Sequence, residues 1–140
     1  AEMLPYEDAI FDLVYSWGVI HHSDRPERIV SEIYRVLKPG GTFIGMMYGR
    51  SSVAACRLWI KHALLKARPW QSRSTVISRN VESHDTTEYT TGELQRMFDQ
   101  FEDFEAEPIL TLSDSRRFPR WLTSRLPDRW GWFIALRGTK

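Results

Sequence analysis

The sequence predicts an α/β fold built on a strand-helix-strand unit, and three observations within residues 11–47 support this prediction. Asp12–Gly18 is a short, nearly continuous apolar run, typical of a strand covered on both faces of a parallel sheet. Apolar side chains at helical spacing follow it, and Thr42–Met47 is a second apolar run. Because such crossovers are right-handed, the two strands are expected to be parallel neighbours with the helix on one face.

The helix between these strands has start and stop signals. Asp24 is a candidate N-cap with Glu27 three residues later, and Pro26 is tolerated in a first helical turn. The residues expected to face the sheet are Ile29, Ile33, Val36 and Leu37. Lys38–Gly41 (Lys-Pro-Gly-Gly) is expected to end the helix and form a tight turn before the second strand.

Three more elements are predicted further along the chain. Thr90 and Glu93 form a capping box before apolar residues at helical spacing, which predicts a helix from Thr91 to about Gln100. Phe104–Leu112 reads as a strand, and Pro108 within it favours an edge position. Trp130–Leu136 is expected to be a closing, buried strand.

Composition limits the classes of protein to consider. The chain has 140 residues, 42% of them hydrophobic and 26% charged, as in one globular domain spanning residues 1–140. A net charge of +1 gives no indication of a nucleic-acid partner. The single cysteine, Cys56, excludes an internal disulfide, and no signal peptide is recognised, so a cytoplasmic location is the default expectation.

Four stretches resemble the motifs of class I S-adenosylmethionine-dependent methyltransferases of the type 11 kind. They are Ala1–Asp8, Phe11–Val14, Gly18–His22 and Ile33–Gly41. The resemblance is strongest from Ala1 to Tyr48, and it covers only the C-terminal half of the family's domain. The family's first strand, its Gly-rich cofactor loop and its ribose-binding acidic residue have no counterpart in this sequence. We therefore expect a truncated, Rossmann-like sheet of about four strands, two parallel and the closing strand antiparallel.

The resemblance implies where a cofactor and a substrate would bind. The segment matching Ala1 and Glu2 lies beside the adenine of S-adenosylmethionine in the family, and Ala1 would contribute a backbone amide. Ser16, Trp17 and Gly18 match residues that line the cofactor's methionine end. His21 and His22 match a segment that opens toward the substrate, which we expect to be a small, partly apolar molecule.

The histidine pair is the sharpest candidate for acid-base chemistry. Imidazole transfers protons near neutral pH, so His21 and His22 are candidate catalytic residues. Adjacent residues do not both face one site, however, and loop histidines often pack or cap. Methyl transfer depends mainly on alignment of donor and acceptor. No cysteine, histidine or carboxylate cluster with metal-site spacing accompanies the pair, so no metal is predicted.

Two segments leave alternatives open. Residues 50–88 match the place where the family carries substrate-covering insertions, and a helix capped by Ser51 or Ser52 and running to about Ala67 would be either such a lid or a packed helix. Its apolar and basic residues would also suit a membrane surface, the less favoured reading. Arginines and aromatics alternate in residues 116–129, where a flap or packed surface is favoured over nucleic-acid binding.

The predicted sheet order is the strand at Asp12, the strand at Thr42, the strand at Trp130 and the strand at Phe104. In this order Asp12–Gly18 is an apolar edge strand with unpaired backbone groups, which favours a homodimer formed through that edge. Two functions remain. The chain is either the substrate-side half of a small-molecule methyltransferase, inactive without a cofactor-binding half, or a non-catalytic homodimeric binding or assembly module derived from one.

Overall fold

The computed structural model describes residues 2–50, 52, 56–57, 59–71, 75–76, 87–110 and 130–140. Its strands and α-helices, in chain order, are β1 (Phe11–Trp17), α1 (Pro26–Val36), β2 (Leu37–Tyr48), α2 (Thr91–Met97), β3 (Glu102–Ile109) and β4 (Phe133–Thr139). A single 3-10 turn, Ile20–His22, lies between β1 and α1, and a π-helical segment spans Ile60–Leu64.

The described strands form one mixed sheet in the order β1-β2-β4-β3. Strands β1 and β2 are parallel, with Val14 beside Phe43, whereas β4 runs antiparallel to both β2 and β3. The predicted strand order and the antiparallel closing strand are confirmed. Strand β1 lies at one edge and β3 at the other, as the proline in β3 predicted.

Helix α1 has the predicted apolar stripe but a different start. Ile29 and Ile33 are buried beneath it, as the spacing predicted. The N-cap is Arg25, without a side-chain cap, so the predicted capping role of Asp24 is wrong. The hydroxyl of Ser23 instead accepts the backbone N–H of Arg25 at 3.0 Å. A serine one position earlier thus fixes the turn that Asp24 was expected to fix.

Strand β2 begins at Leu37, five residues before the predicted Thr42. The Lys-Pro-Gly-Gly sequence forms no separate turn. Gly40 takes a positive φ of 76°, and its N–H donates to the carbonyl of Lys140 at 2.6 Å. The N–H of Lys140 in turn donates to Gly41 at 2.9 Å. This pairing with a residue far along the chain keeps the glycines in the sheet, which local turn propensity does not reveal.

The later elements agree with the predictions in kind and differ in their ends. The capping box is present: Glu93 N–H donates to the Thr90 hydroxyl at 3.2 Å, and Thr90 N–H donates to the Glu93 carboxylate at 2.7 Å. Helix α2 ends at Met97 rather than Gln100. Strand β3 begins at Glu102, two residues before the predicted start, and β4 at Phe133, three residues after it.

Helices α1 and α2 cover the same face of the sheet. Phe43 of β2 is fully buried there and stacks on Phe98, with ring centroids 5.3 Å apart. The residues that share this core with Phe43 include Ile29, Val30, Ile33, Met47, Leu94, Phe98, Ile134 and Leu136. Alternation along the strands directs Leu13, Tyr15 and Trp17 to the opposite face, where they are 54%, 63% and 46% exposed.

Some predictions fall largely outside the described residues. Of the predicted helix after Ser51, Ser51 itself, residues 53–55 and residue 58 lie outside, while Cys56 is half-buried. Residues 72–74 and 77–86 of the candidate insertion lie outside as well, as does the arginine-rich segment within residues 111–129. Among the described helices, none is long and apolar enough to cross a membrane.

Candidate functional site

The carboxyl end of β1 holds three of the predicted site residues. Ser16 and Trp17 are the last residues of the strand and lie beside Gly45 and Met46 of β2. Gly18 follows with a φ of 71°, and its N–H donates to the Met46 carbonyl at 3.3 Å. This left-handed turn favours glycine, and it sends the chain away from the sheet.

The histidine pair follows immediately in the 3-10 turn. His21 is fully buried and His22 is exposed, so the two side chains face different surroundings. Their ring centroids are 4.3 Å apart, and the His21 ring also lies 4.2 Å from that of Tyr48, the last residue of β2. The pair is therefore packed against the carboxyl end of the neighbouring strand.

Burial fixes the protonation state of His21. Within the part of the chain that the structure describes, neither ring nitrogen of His21 has a hydrogen-bond partner. Desolvation, with a smaller contribution from His22, lowers the pKa of His21 to about 4. A neutral, enclosed imidazole of this kind serves as packing at neutral pH. Of the two candidate catalytic residues, His22 is the one in contact with solvent.

Of the two candidate cofactor-binding residues at the N-terminus, the structure describes Glu2. Ala1 lies outside the described residues. The carboxylate of Glu2 accepts the hydroxyl of Ser23 at 2.9 Å, which holds Glu2 against the loop between the 3-10 turn and α1. Glu2 is thus tied to the same end of the sheet as His22, although its acceptor capacity is partly used.

A second anchor holds residues 4–8 on α1. Arg35 donates to the backbone carbonyls of Leu4 and Tyr6 and pairs with Asp8. Glu32 accepts the Leu4 N–H at 2.8 Å, and hydrogen bonds from Arg35 and then Leu4 lower the pKa of the Glu32 carboxyl to about 2. The segment leading into β1 is therefore fixed by two side chains of one helix.

The geometry at β1 fits one side of a cofactor site. Gly18 exposes backbone in a left-handed turn, and Trp17 keeps 46% of its surface exposed beside it. In open α/β sheets, ligands lie in a crevice beyond the carboxyl ends of strands, between two parts of the sheet. Among the described strands, β1 is an edge strand, and Ser16, Trp17 and Gly18 lie at its carboxyl end.

The chain beyond β2 contributes residues that the sequence did not single out. Gly49 forms an isolated parallel bridge with Tyr89, and Tyr89 N–H donates to the Tyr48 carbonyl at 2.9 Å. Arg50 donates to the Glu88 carbonyl at 2.9 Å and pairs with Glu93 of α2 at 3.1 Å. No periodicity marks this bridge, because it joins two segments that are distant in sequence.

A cavity of about 260 Å³ lies next to this bridge. Tyr89 and Trp130 supply its aromatic walls, and Pro108 and Ile134 supply aliphatic ones. The remaining lining residues are Gly49, Thr90, Thr91 and Gly131. None of the lining residues that the structure describes has a charged side chain. Among the residues that the structure describes, no group of three or more histidine, cysteine or carboxylate side chains is arranged to hold a metal ion.

The fold and part of the sequence are similar to those of known methyltransferases. The four-stranded sheet has a Rossmann-like fold, similar over 99% of this chain to an S-adenosylmethionine-dependent methyltransferase structure from Thermotoga maritima, with a TM-score of 0.66. The two sequences are 24% identical, and this chain covers 60% of that one. Residues 1–45 match the family described as methyltransferase domain. The resemblance to class I S-adenosylmethionine-dependent methyltransferases is confirmed.

Two curated relatives each match about a third of this chain. Sarcosine/dimethylglycine N-methyltransferase of Halorhodospira halochloris is 49% identical over 43 residues, which are 31% of this chain and 15% of the relative. Phosphoethanolamine N-methyltransferase 2 of Caenorhabditis elegans is 44% identical over 45 residues, 32% of this chain and 10% of the relative. The chain thus aligns with about a tenth to a seventh of these relatives' length.

Proposed function

We propose that this chain is the substrate-side part of an S-adenosylmethionine-dependent methyltransferase that acts on a small, partly apolar molecule. The observation that carries the proposal is the turn at Gly18, which joins an exposed Trp17 to the loop bearing His22 at the carboxyl end of a parallel strand. The match of residues 1–45 to methyltransferase domains supports the same assignment.

In this function the residues have separate roles. Ser16, Trp17 and Gly18 would contact the methionine end of S-adenosylmethionine, and the backbone near Ala1 and Glu2 its adenine. S-adenosylmethionine supplies an activated methyl group on a sulfonium, so the protein's main task is to align the acceptor with it. His22, exposed at the same end of the sheet, would accept a proton from the acceptor. The neutral, buried His21 would position His22 by ring contact.

Cofactor binding in this proposal needs polypeptide in addition to these 140 residues. The crevice at the carboxyl end of β1 has one wall among the described strands, and a ligand in such folds is held between two. The isolated chain is therefore expected to be inactive. Calorimetric titration of S-adenosylmethionine and its demethylated product into the chain should give no heat at ligand concentrations up to about 1 mM. Micromolar binding at one site per chain would overturn this part of the proposal.

A fusion tests the methyltransferase assignment itself. The part of the Halorhodospira halochloris enzyme that precedes its matched segment would be joined to this chain, so that β1 acquires a second neighbour. We expect the fusion to bind S-adenosylmethionine and Gly18→Ala to weaken that binding about tenfold, because alanine strains a φ of 71°. Gly92→Ala is the matched control, since Gly92 lies in open space without a positive φ. A folded fusion without cofactor binding would refute the assignment.

A second candidate function is a non-catalytic homodimeric module, and the exposed edge strand favours it. Leu13 and Tyr15 are exposed, and the outer backbone groups of β1 have no partner strand among the described residues. Antiparallel pairing of β1 with its copy would extend the sheet through a two-fold axis. Sedimentation should then show a dimer that Tyr15→Lys dissociates, while Glu105→Lys on the other edge strand leaves it intact. A monomeric wild-type chain at high concentration would eliminate this candidate.

A further inference from the structure

We propose that the cavity beside the Gly49–Tyr89 bridge binds an uncharged group the size of one aromatic ring, as the apolar part of the methyl acceptor. The inference rests on the proposed function, to which it adds a chemical class of substrate. The cavity lies just past the carboxyl end of β2, on the helix-covered side of the sheet. It is thus separate from Ser16, Trp17 and Gly18, the residues assigned to the cofactor.

The size of the cavity selects a small occupant. A cavity of roughly 150 Å³ lined by apolar side chains is enough to bind benzene. The volume here is about 260 Å³, which accommodates one substituted ring or a short branched alkyl group. Sites for drug-sized ligands begin at about 300 Å³, so a multi-ring molecule would extend past the cavity into solvent.

The lining selects an apolar and uncharged occupant. The lining includes the aromatic residues Tyr89 and Trp130 and the aliphatic residues Pro108 and Ile134, and Thr90 and Thr91 are its residues with hydroxyl side chains besides Tyr89. Tyr89 is buried, whereas Trp130 is 44% exposed and forms the part of the wall open to solvent. Aromatic walls favour flat rings through stacked or edge-on contacts.

Two charged side chains close to the cavity, Arg50 and Glu93, form an ion pair. Arg50 follows the lining residue Gly49, and Glu93 lies in the first turn of α2, but the two pair with each other at 3.1 Å. The Glu93 carboxylate also accepts the Thr90 N–H, and this bond is the largest cause of its lowered pKa. A charged ligand would therefore lose its hydration without gaining an ionic partner among the described lining residues.

The cavity is formed in advance by hydrogen bonds that do not involve a ligand. Backbone bonds hold Tyr89 between Tyr48 and Arg50, and the capping box fixes Thr90. Gly131 is also required, because a Cβ there would overlap the carbonyl oxygen of Ile109. A preformed site needs little ordering on binding, which favours affinity even for a small group.

Methyl-resolved NMR of the full chain tests the proposal with two probes. The neutral ring para-cresol should shift the methyl signals of Thr91 and Ile134 and leave that of Val36, at the other end of the sheet, unchanged. The carboxylate para-toluate should bind at least about tenfold more weakly. No shifts with para-cresol up to about 10 mM, or equal binding of the two probes, would refute the proposal.

A filling variant provides the second test. Thr91→Leu places a larger side chain in the lining and should weaken para-cresol binding about tenfold or more. Gln95→Leu, an exposed position on the same helix outside the lining, should leave binding unchanged. Unaltered binding in Thr91→Leu would contradict the assignment. If the chain binds para-cresol but the fusion does not bind S-adenosylmethionine, the methyltransferase function is refuted and the cavity site is retained. If the fusion binds S-adenosylmethionine but the chain does not bind para-cresol, the cavity site is refuted and the methyltransferase function is retained.

Discussion

The two faces of the sheet differ in what covers them. On one face, α1 and α2 enclose Phe43 and Leu136, which are 0% and 2% exposed. On the other face, Leu13 and Tyr15 are equally apolar in the sequence and remain 54% and 63% exposed. Alternation along a strand thus assigns residues to a face, but whether that face is covered depends on elements elsewhere in the chain or in a partner.

The largest loss of stability is expected when a buried side chain is removed from the covered face. Phe43→Ala removes a fully buried ring that stacks on Phe98 and contacts Phe101, so the free energy of unfolding should fall by about 3 to 5 kcal/mol. Urea denaturation followed by circular dichroism measures this loss. A decrease below about 1 kcal/mol would show that the helices do not enclose this side chain in solution.

The histidine pair also combines one buried side chain, His21, with one exposed side chain, His22. The pKa of His21 is about 4 when folded and near 6.5 when unfolded, so the unfolded chain binds this proton first as the pH falls. Stability should drop between about pH 6.5 and pH 4, by on the order of 2 kcal/mol after allowance for solvent screening.

Removing the buried imidazole should remove that pH dependence. Urea titrations of His21→Leu at about pH 7 and pH 4.5 should show a smaller acid-induced loss than the wild type. His22→Asn is the control and should retain most of the acid-induced loss, because desolvation by burial is the larger cause of the lowered pKa of His21. An unchanged acid-induced loss in His21→Leu would contradict the burial of His21.

How much the sequence could predict varies between elements. The capping box at Thr90 was predictable from local signals, and the strand order was predictable from the resemblance to the methyltransferase family. The start of β2 was not, because Gly40 is held by Lys140 from the far end of the chain. The burial of His21 depends on contact with Tyr48, and the cavity depends on pairing of Gly49 with Tyr89. Such long-range contacts leave no local periodicity.

A smaller loss of stability is expected when the N-cap of α2, on the covered face of the sheet, is removed. Thr90→Ala removes the hydroxyl that accepts the Glu93 N–H, which should lower the free energy of unfolding by about 1 kcal/mol. Thr90→Ser keeps the hydroxyl and should restore most of the stability. If serine and alanine destabilise the chain equally, the capping bond is not the source of the effect.

The smallest change in stability is expected when an exposed side chain is removed from the other face of the sheet. Tyr15→Ala leaves no cavity, because the ring is 63% exposed and contacts Trp17 at a centroid distance of 5.9 Å. The free energy of unfolding should change by no more than about 0.5 kcal/mol in dilute solution. A larger loss that appears only at high protein concentration would show that a second copy covers this face. A larger loss at every concentration would show that the chain itself covers it.

The placement of β4 between β2 and β3 also bears on the order in which the protein assembles during synthesis. Thr42 of β2 is paired with Thr139, so the inner edge of β2 stays unpaired on the ribosome until β4 has emerged. Closing so long a loop is entropically costly and slow compared with forming the local β1-α1-β2 unit. A nascent chain therefore exposes the unpaired edge of β2 while β4 is still being synthesised. We expect chaperones to contact β2 during that interval.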